Sequence, residues 1–90
     1  MRNNTMLTKT ITIQSQVGLH TRPATFFIQK ANSYKSSVWI ENCERRANAK
    51  SLLGVLSLGI SKGDSVAIIA EGPDEAEAVD GLIDLLMAME

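Results

Sequence analysis

Polar and apolar residues first alternate along the chain. From Leu7 to Gln14 the run "LTKTITIQ" places Leu7, Lys9, Ile11 and Ile13 on one side and Thr8, Thr10 and Thr12 on the other. A period of two with many β-branched residues predicts a strand. Between Pro23 and Tyr34 the period lengthens: Ala24, Phe27, Ile28 and Ala31 recur at steps of three and four, and a proline is tolerated only in the first turn. That spacing predicts a helix. "SSVWIEN" (36–42) turns Val38 and Ile40 to one side and Trp39 to the other, and the shorter, more polar "CERRANAK" (43–50) follows as a weaker partner strand behind a tight turn. "SLLGVLSLGI" (51–60) is apolar on most sides and stops near Gly59, with Gly63 beyond, as a brief second helix that cannot hide its whole surface. "SVAIIAE" (65–71) is the most strand-like run. Pro73 and Asp74 then open a third helix with the stripe Ala76, Val79, Leu82, Ile83 and Leu86, while Glu75, Glu77, Asp80 and Asp84 lie mostly off it.

The order β-α-β-β-α-β-α in so short a chain predicts an α+β, two-layer fold in which helices cover one face of a mostly antiparallel sheet. Ninety residues suffice for one core and not for two. No repeat, linker or low-complexity tract suggests anything larger.

Charge and composition narrow the function. Nine Lys and Arg against ten Asp and Glu leave a net charge of −1, so no broad positive surface is available for a nucleic-acid backbone. The hydrophobic fraction is 44%, yet no apolar run approaches the roughly 20 residues of a membrane span, and "MRNNT" leads into no apolar signal core. A soluble, unexported protein is expected. Cys43 has no second cysteine with which to form a disulfide, and with the single histidine, His20, it cannot build a usual zinc cluster, which fits a reducing cytoplasm with no metal and no cofactor. In its turn, Cys43 reads as an ordinary thiol.

His20 sits in "VGLHTRPAT" (17–25), between Gly18 and Pro23, at or just before the start of the first helix. There, unpaired N–H groups and aligned peptide dipoles favour an anion and disfavour a protonated imidazole. A neutral ring keeps a nitrogen lone pair able to attack phosphorus. Arg22 offers a planar cation for phosphate oxygens, and Gly18 permits unusual backbone angles in the turn. From the residues alone His20 is either such an acceptor or a plain surface or capping residue. No carboxylate or thiol stands at helical spacing to complete a metal site, and no nucleophile elbow accompanies His20.

"GLHTRPA" (18–24), together with Ser51 in "AKSLLGVLSLGI" (49–60), strongly resembles HPr, the histidine-containing phosphocarrier family of the bacterial phosphoenolpyruvate-dependent sugar phosphotransferase system. The likeness spans about Met6 to Glu90, leaving residues 1–5 as an N-terminal extension expected to be flexible. It implies an open-faced β-sandwich with strand order 1-4-2-3 and three helices on one face. By that resemblance His20 takes a phosphoryl group from phosphorylated Enzyme I and passes it to sugar-specific IIA components. Arg22 would stabilise the phosphate, and Gly18, Pro23 and Ala24 would serve structure. Such a protein is a carrier that turns over no substrate alone. It is expected to be a monomer.

Ser51 matches the serine that an HPr kinase/phosphorylase modifies in some relatives, and it equally suits the N-cap of the second helix; the two readings are compatible. Thr21, Thr25, Leu52, Leu53 and Leu56 correspond to the family's partner-binding surface. At least one of these leucines must belong to the core, and Leu53 is the one expected to be exposed beside His20. Two other roles within the family stand beside the sugar relay. One is a corepressor of a transcriptional regulator, acting through phosphorylated Ser51; the family's regulatory paralogue lacks the histidine that this chain has as His20. The other is the nitrogen-branch carrier. Val17 stands where a small polar residue is often found, and neither Trp39 nor Cys43 matches a family role.

Overall fold

Each change of period in the sequence becomes a change of element. A computed structural model describes residues 6–14, 18–19 and 21–89. Residues 1–5, Val17 and His20 lie outside the described residues. The elements are β1 (Leu7–Thr12), α1 (Thr21–Asn32), β2 (Ser37–Asn42), β3 (Arg45–Asn48), α2 (Leu52–Ser57), β4 (Ser65–Glu71) and α3 (Glu75–Ala88). Every strand pairing is antiparallel, and the sheet order is β1-β4-β2-β3.

The most apolar strands, β4 and β2, take the centre, and the threonine-rich β1 and arginine-bearing β3 take the edges, where polar side chains discourage further pairing. One face of the sheet, with Val38, Ile40, Val66, Ile68 and Ala70, packs under the helices. The helices contribute Ala24, Phe27 and Ala31 from α1, Val55 from α2, and Ala78, Val79, Leu82 and Leu86 from α3. The other face is open. There Trp39 stands across from Ile69, which is buried yet outside the helix-side core. Between β2 and β3, Cys43 and Glu44 both adopt left-handed backbone angles (φ 52° and 67°), as a two-residue hairpin turn requires.

Several expectations need correction. β1 ends at Thr12 and not at Gln14. Ile13 leaves the ladder to pair with the turn before β4, donating to the Asp64 carbonyl (2.8 Å) and accepting from Gly63 N–H (2.8 Å). Leu7 and Lys9 are exposed on the edge strand, where Lys9 pairs with Asp80 of α3. α1 begins at Thr21, two residues before Pro23, since any first-turn position lacks an intrahelical N–H partner. α2 is shorter than 51–60: Gly59, at φ 60°, ends it. In α3, Ala78 is buried and Ala76 exposed. At roughly 100° per residue, Ala76 falls more than a quarter turn from the line of Ala78, Leu82 and Leu86, and Ile83 is half-buried at its edge.

Asp74, the N-cap of α3, makes no side-chain bond to its own helix. Its carboxylate instead accepts from the Ser36 hydroxyl and from the N–H groups of Lys35 and Ser36, the latter two at 2.9 Å. The bond from Ser36 Oγ is the largest cause of a pKa lowered from 3.8 to about 2, with the Lys35 N–H next. Gly72 lets this junction close, because a Cβ there would lie 2.6 Å from the Ser36 Cα. A carboxylate with a depressed folded-state pKa adds stability that is full above its unfolded value. That stability is lost as pH falls through the folded value. The resistance of the natural chain to chemical unfolding is therefore expected to fall between about pH 4 and about pH 2. Asp74→Asn should be less stable at neutral pH and show a shallower loss across that window; an unchanged pH profile would remove Asp74 as the cause.

Candidate functional site

The approach to α1 is built by a backbone clamp. Leu19 is only 3% exposed, and its N–H donates to the Ile60 carbonyl at 3.1 Å. Gly18 sits at φ 61°, and a Cβ there would lie 2.4 Å from that same carbonyl oxygen. Glycine is therefore required twice, by conformation and by contact. The receiving segment is fixed in turn: Asp64 Oδ2 accepts from Ser61 N–H at 2.8 Å, and the Asp64 carbonyl accepts from Ile13 N–H. His20 lies outside the described residues, but both of its chain neighbours are placed. Leu19 is set in the core and Thr21 is the first residue of α1.

At the start of α1, Arg22 is exposed, Pro23 is half-buried and Ala24 is fully buried. Ala24 thus seats the first turn on the core and leaves the Arg22 guanidinium free to meet a ligand. Thr21 is exposed, and its carbonyl accepts from Thr25 Oγ1 at 2.8 Å. α1 carries no acidic residue.

Ser51 caps α2. Its backbone is extended (φ −109°, ψ 117°), and its Oγ accepts from Gly54 N–H at 3.1 Å. Within α2, Val55 is buried, and Leu52 and Leu56 are half-buried against the core. Leu53 is 80% exposed, so one leucine points to solvent while its neighbours anchor the turn.

Topology sets the relative places of these groups. α1 joins the end of β1 to the start of β2, and α2 joins β3 to β4, so the two packed helices run antiparallel. The exit of α2 lies by Leu19, through Ile60, while Asn32 at the far end of α1 donates to the carbonyl of Lys50, next to Ser51, at 3.1 Å. A 12-residue helix is about 18 Å long, so Ser51 and the entry to α1 stand roughly that far apart. Arg22 and Ser51 are thus separate ends of one face.

That face is short of carboxylates. None occurs from Gly18 to Ile40 or from Arg45 to Gly63, two stretches that hold seven of the nine Lys and Arg residues. α3, by contrast, carries Glu75, Glu77, Asp80 and Asp84 and no basic residue. Among the described residues no cluster of three His, Cys, Asp or Glu is arranged to hold a metal. No helix of the described chain is long and apolar enough to cross a membrane.

Residues 7–88 match the family model described as the PTS HPr component phosphorylation site. The chain belongs to the HPr family. It is 41% identical over 78 residues to the HPr-like protein Crh of Halalkalibacterium halodurans, covering 87% of this chain and 93% of that one. Against the phosphocarrier protein HPr of Neisseria meningitidis serogroup A it is 40% identical over 81 residues, covering 90% and 91%. The crystal structure of HPr-C-His from Thermoanaerobacter tengcongensis superposes with a TM-score of 0.89 at 43% identity, covering 92% of this chain and 93% of that one. The strand order and the open-faced sandwich are those of HPr structures.

Within this HPr fold, three supporting residues escaped sequence reasoning. Asn32 bridges α1 to Lys50, Lys50 Nζ donates to the Tyr34 carbonyl at 2.9 Å, and Arg45 of β3 donates to the Ser57 carbonyl at 2.8 Å, satisfying the end of α2. Only Asn32 carried a local signal, as an asparagine at a helix end. Gly18→Ala should cost about 2 kcal/mol or more in urea unfolding, because it adds left-handed strain to a backbone collision. A loss below about 0.5 kcal/mol would mean the clamp yields freely.

Proposed function

We propose that the chain is a phosphocarrier that accepts a phosphoryl group on a ring nitrogen of His20 from phosphorylated Enzyme I and passes it to sugar-specific IIA components. The observation that supports this most is the pairing of the Leu19–Ile60 clamp with an exposed Arg22 in the first turn of α1. The clamp fixes the residue before His20, the helix fixes the residue after it, and Arg22 stands within the same turn.

The chemistry follows from that frame. A neutral imidazole nitrogen of His20 donates its lone pair to phosphorus, forming the N–P bond. The bond from phosphorus to the donor breaks, and its electron pair returns to the donor's leaving atom. Arg22 and the unpaired N–H groups at the start of α1 stabilise the charge spread over the phosphoryl oxygens in transit. Transfer to IIA repeats the step with the roles exchanged. Neither step needs a metal held by this chain or a cofactor. Thr21, Thr25, Leu52, Leu53 and Leu56 form the docking surface, where a small apolar contact and a carboxylate-poor surround suit brief visits by acidic partners. The carrier works as a monomer in the cytoplasm.

Incubation with phosphoenolpyruvate and Enzyme I should add one acid-labile, base-stable phosphate to a single-chain species in native mass spectrometry. His20→Ala should abolish that gain, and Arg22→Ala should slow it by roughly a hundredfold. Uptake by His20→Ala, or a two-chain species, would overturn the corresponding claim.

A second reading is favoured by the similarity to Crh and by the capping position of Ser51: phosphate on Ser51, placed by an HPr kinase/phosphorylase, makes the chain a corepressor for a transcriptional regulator. At a helix N-terminus the added charge of about −1.5 to −2 is tolerated locally and changes which partners the face attracts. His20 favours the relay as the primary role. In cells, Ser51→Ala should leave sugar uptake intact and abolish repression; repression that persists would sink the second role.

A further inference from the structure

Trp39, the single tryptophan, is half-buried on the open face of the sheet, across from Asn48 of β3 on one side and Ile69 of β4 on the other. With Ser37, Val38, Asn48 and Lys50 it lines a cleft of about 140 Å³. Sites for drug-sized ligands run to roughly 300–1,000 Å³, so only a smaller molecule fits. The cleft lies where β2 begins and β3 ends, beside Ser51, and the entry to α1 is left clear.

Backbone and side-chain bonds hold its walls. Ala49 N–H donates to the Val38 carbonyl and Lys50 Nζ to the Tyr34 carbonyl, both at 2.9 Å. Asn48 Oδ1 accepts from the Lys50 N–H at 2.8 Å, which occupies the amide oxygen and leaves the amide N–H donors for a ligand. Lys50 Nζ keeps two donors and its charge. None of the lining residues is a carboxylate.

We propose that this cleft binds a small monocarboxylate with a flat apolar body, its oxygens taken by Asn48 Nδ2 and Lys50 Nζ and its body laid on the Trp39 ring. One cation balances one negative charge. The β2–β4 register sets Glu71 across from Ser37, and a like charge at the margin disfavours a dianionic phosphate. The site is independent of the phosphocarrier reading.

Benzoate is the probe, read through the Trp39 indole N–H and the Asn48 side-chain amide in NMR spectra of the full chain. Both signals should move and saturate at about millimolar benzoate. Benzyl alcohol has the ring without the charge, and inorganic phosphate the charge without the ring; each should bind the natural chain at least about tenfold more weakly. Asn48→Asp keeps an acceptor for the Lys50 N–H and sets a second negative charge against the ligand. Followed by the Trp39 signal, it should weaken benzoate at least about tenfold, with urea unfolding and phosphoryl uptake those of the natural chain. The inference is overturned if either control matches benzoate, if Asn48→Asp binds within about twofold of the natural chain, or if no signal saturates by about ten times that concentration.

Discussion

The hydrogen bond from the Leu19 N–H to the Ile60 carbonyl ties the segment entering α1 to the segment leaving α2. Both residues are buried, so the bond operates where water does not compete and where its loss would strand two polar groups. Gly18 is fitted against the same carbonyl, and Asp64 holds the turn beneath it. Through this contact a six-residue helix, too short to be stable alone, shares the fixed frame of a twelve-residue one. The opposite ends of the two helices are closed by Asn32 on the Lys50 carbonyl. The face shared by α1 and α2 is consequently held at both ends by bonds between the segments that carry the helices, and its outer side chains are left to solvent.

Much of the fold was legible because local periodicity and burial agree. The alternation of Val38 and Ile40 against Trp39, the stepped stripe of α1 and the continuous apolar run of β4 each report which face meets the core. The failures occur where a neighbour distant in sequence decides. Ala76 has the chemistry of a core residue but the wrong angle, which is fixed by how α3 lies on the sheet. Lys9 shares a face with Ile11, yet its fate depends on an edge position and on Asp80. Asp74 reads as the opening of a helix and behaves as a cross-link to Ser36, 38 residues away in sequence.

The candidate site divides along the same line. The motif from Gly18 to Ala24 and the capping role of Ser51 are local, and sequence reaches them. The antiparallel course of α1 and α2, which sends Arg22 and Ser51 to opposite ends of a face, is a property of topology. Arg45 at the end of α2 is likewise a tertiary contact, with no pattern in the surrounding residues to mark it.

The segregation of charge between α3 and α1 has an effect before any contact is made. A chain with a net charge of only −1 still has a dipole moment when four of its ten acidic residues gather on one helix that carries no cation. The field of an acidic partner would exert a torque on that dipole, turning molecules so that they approach with their cationic side foremost. Added salt would shorten the reach of this alignment and slow capture, while affecting any apolar contact, once formed, far less.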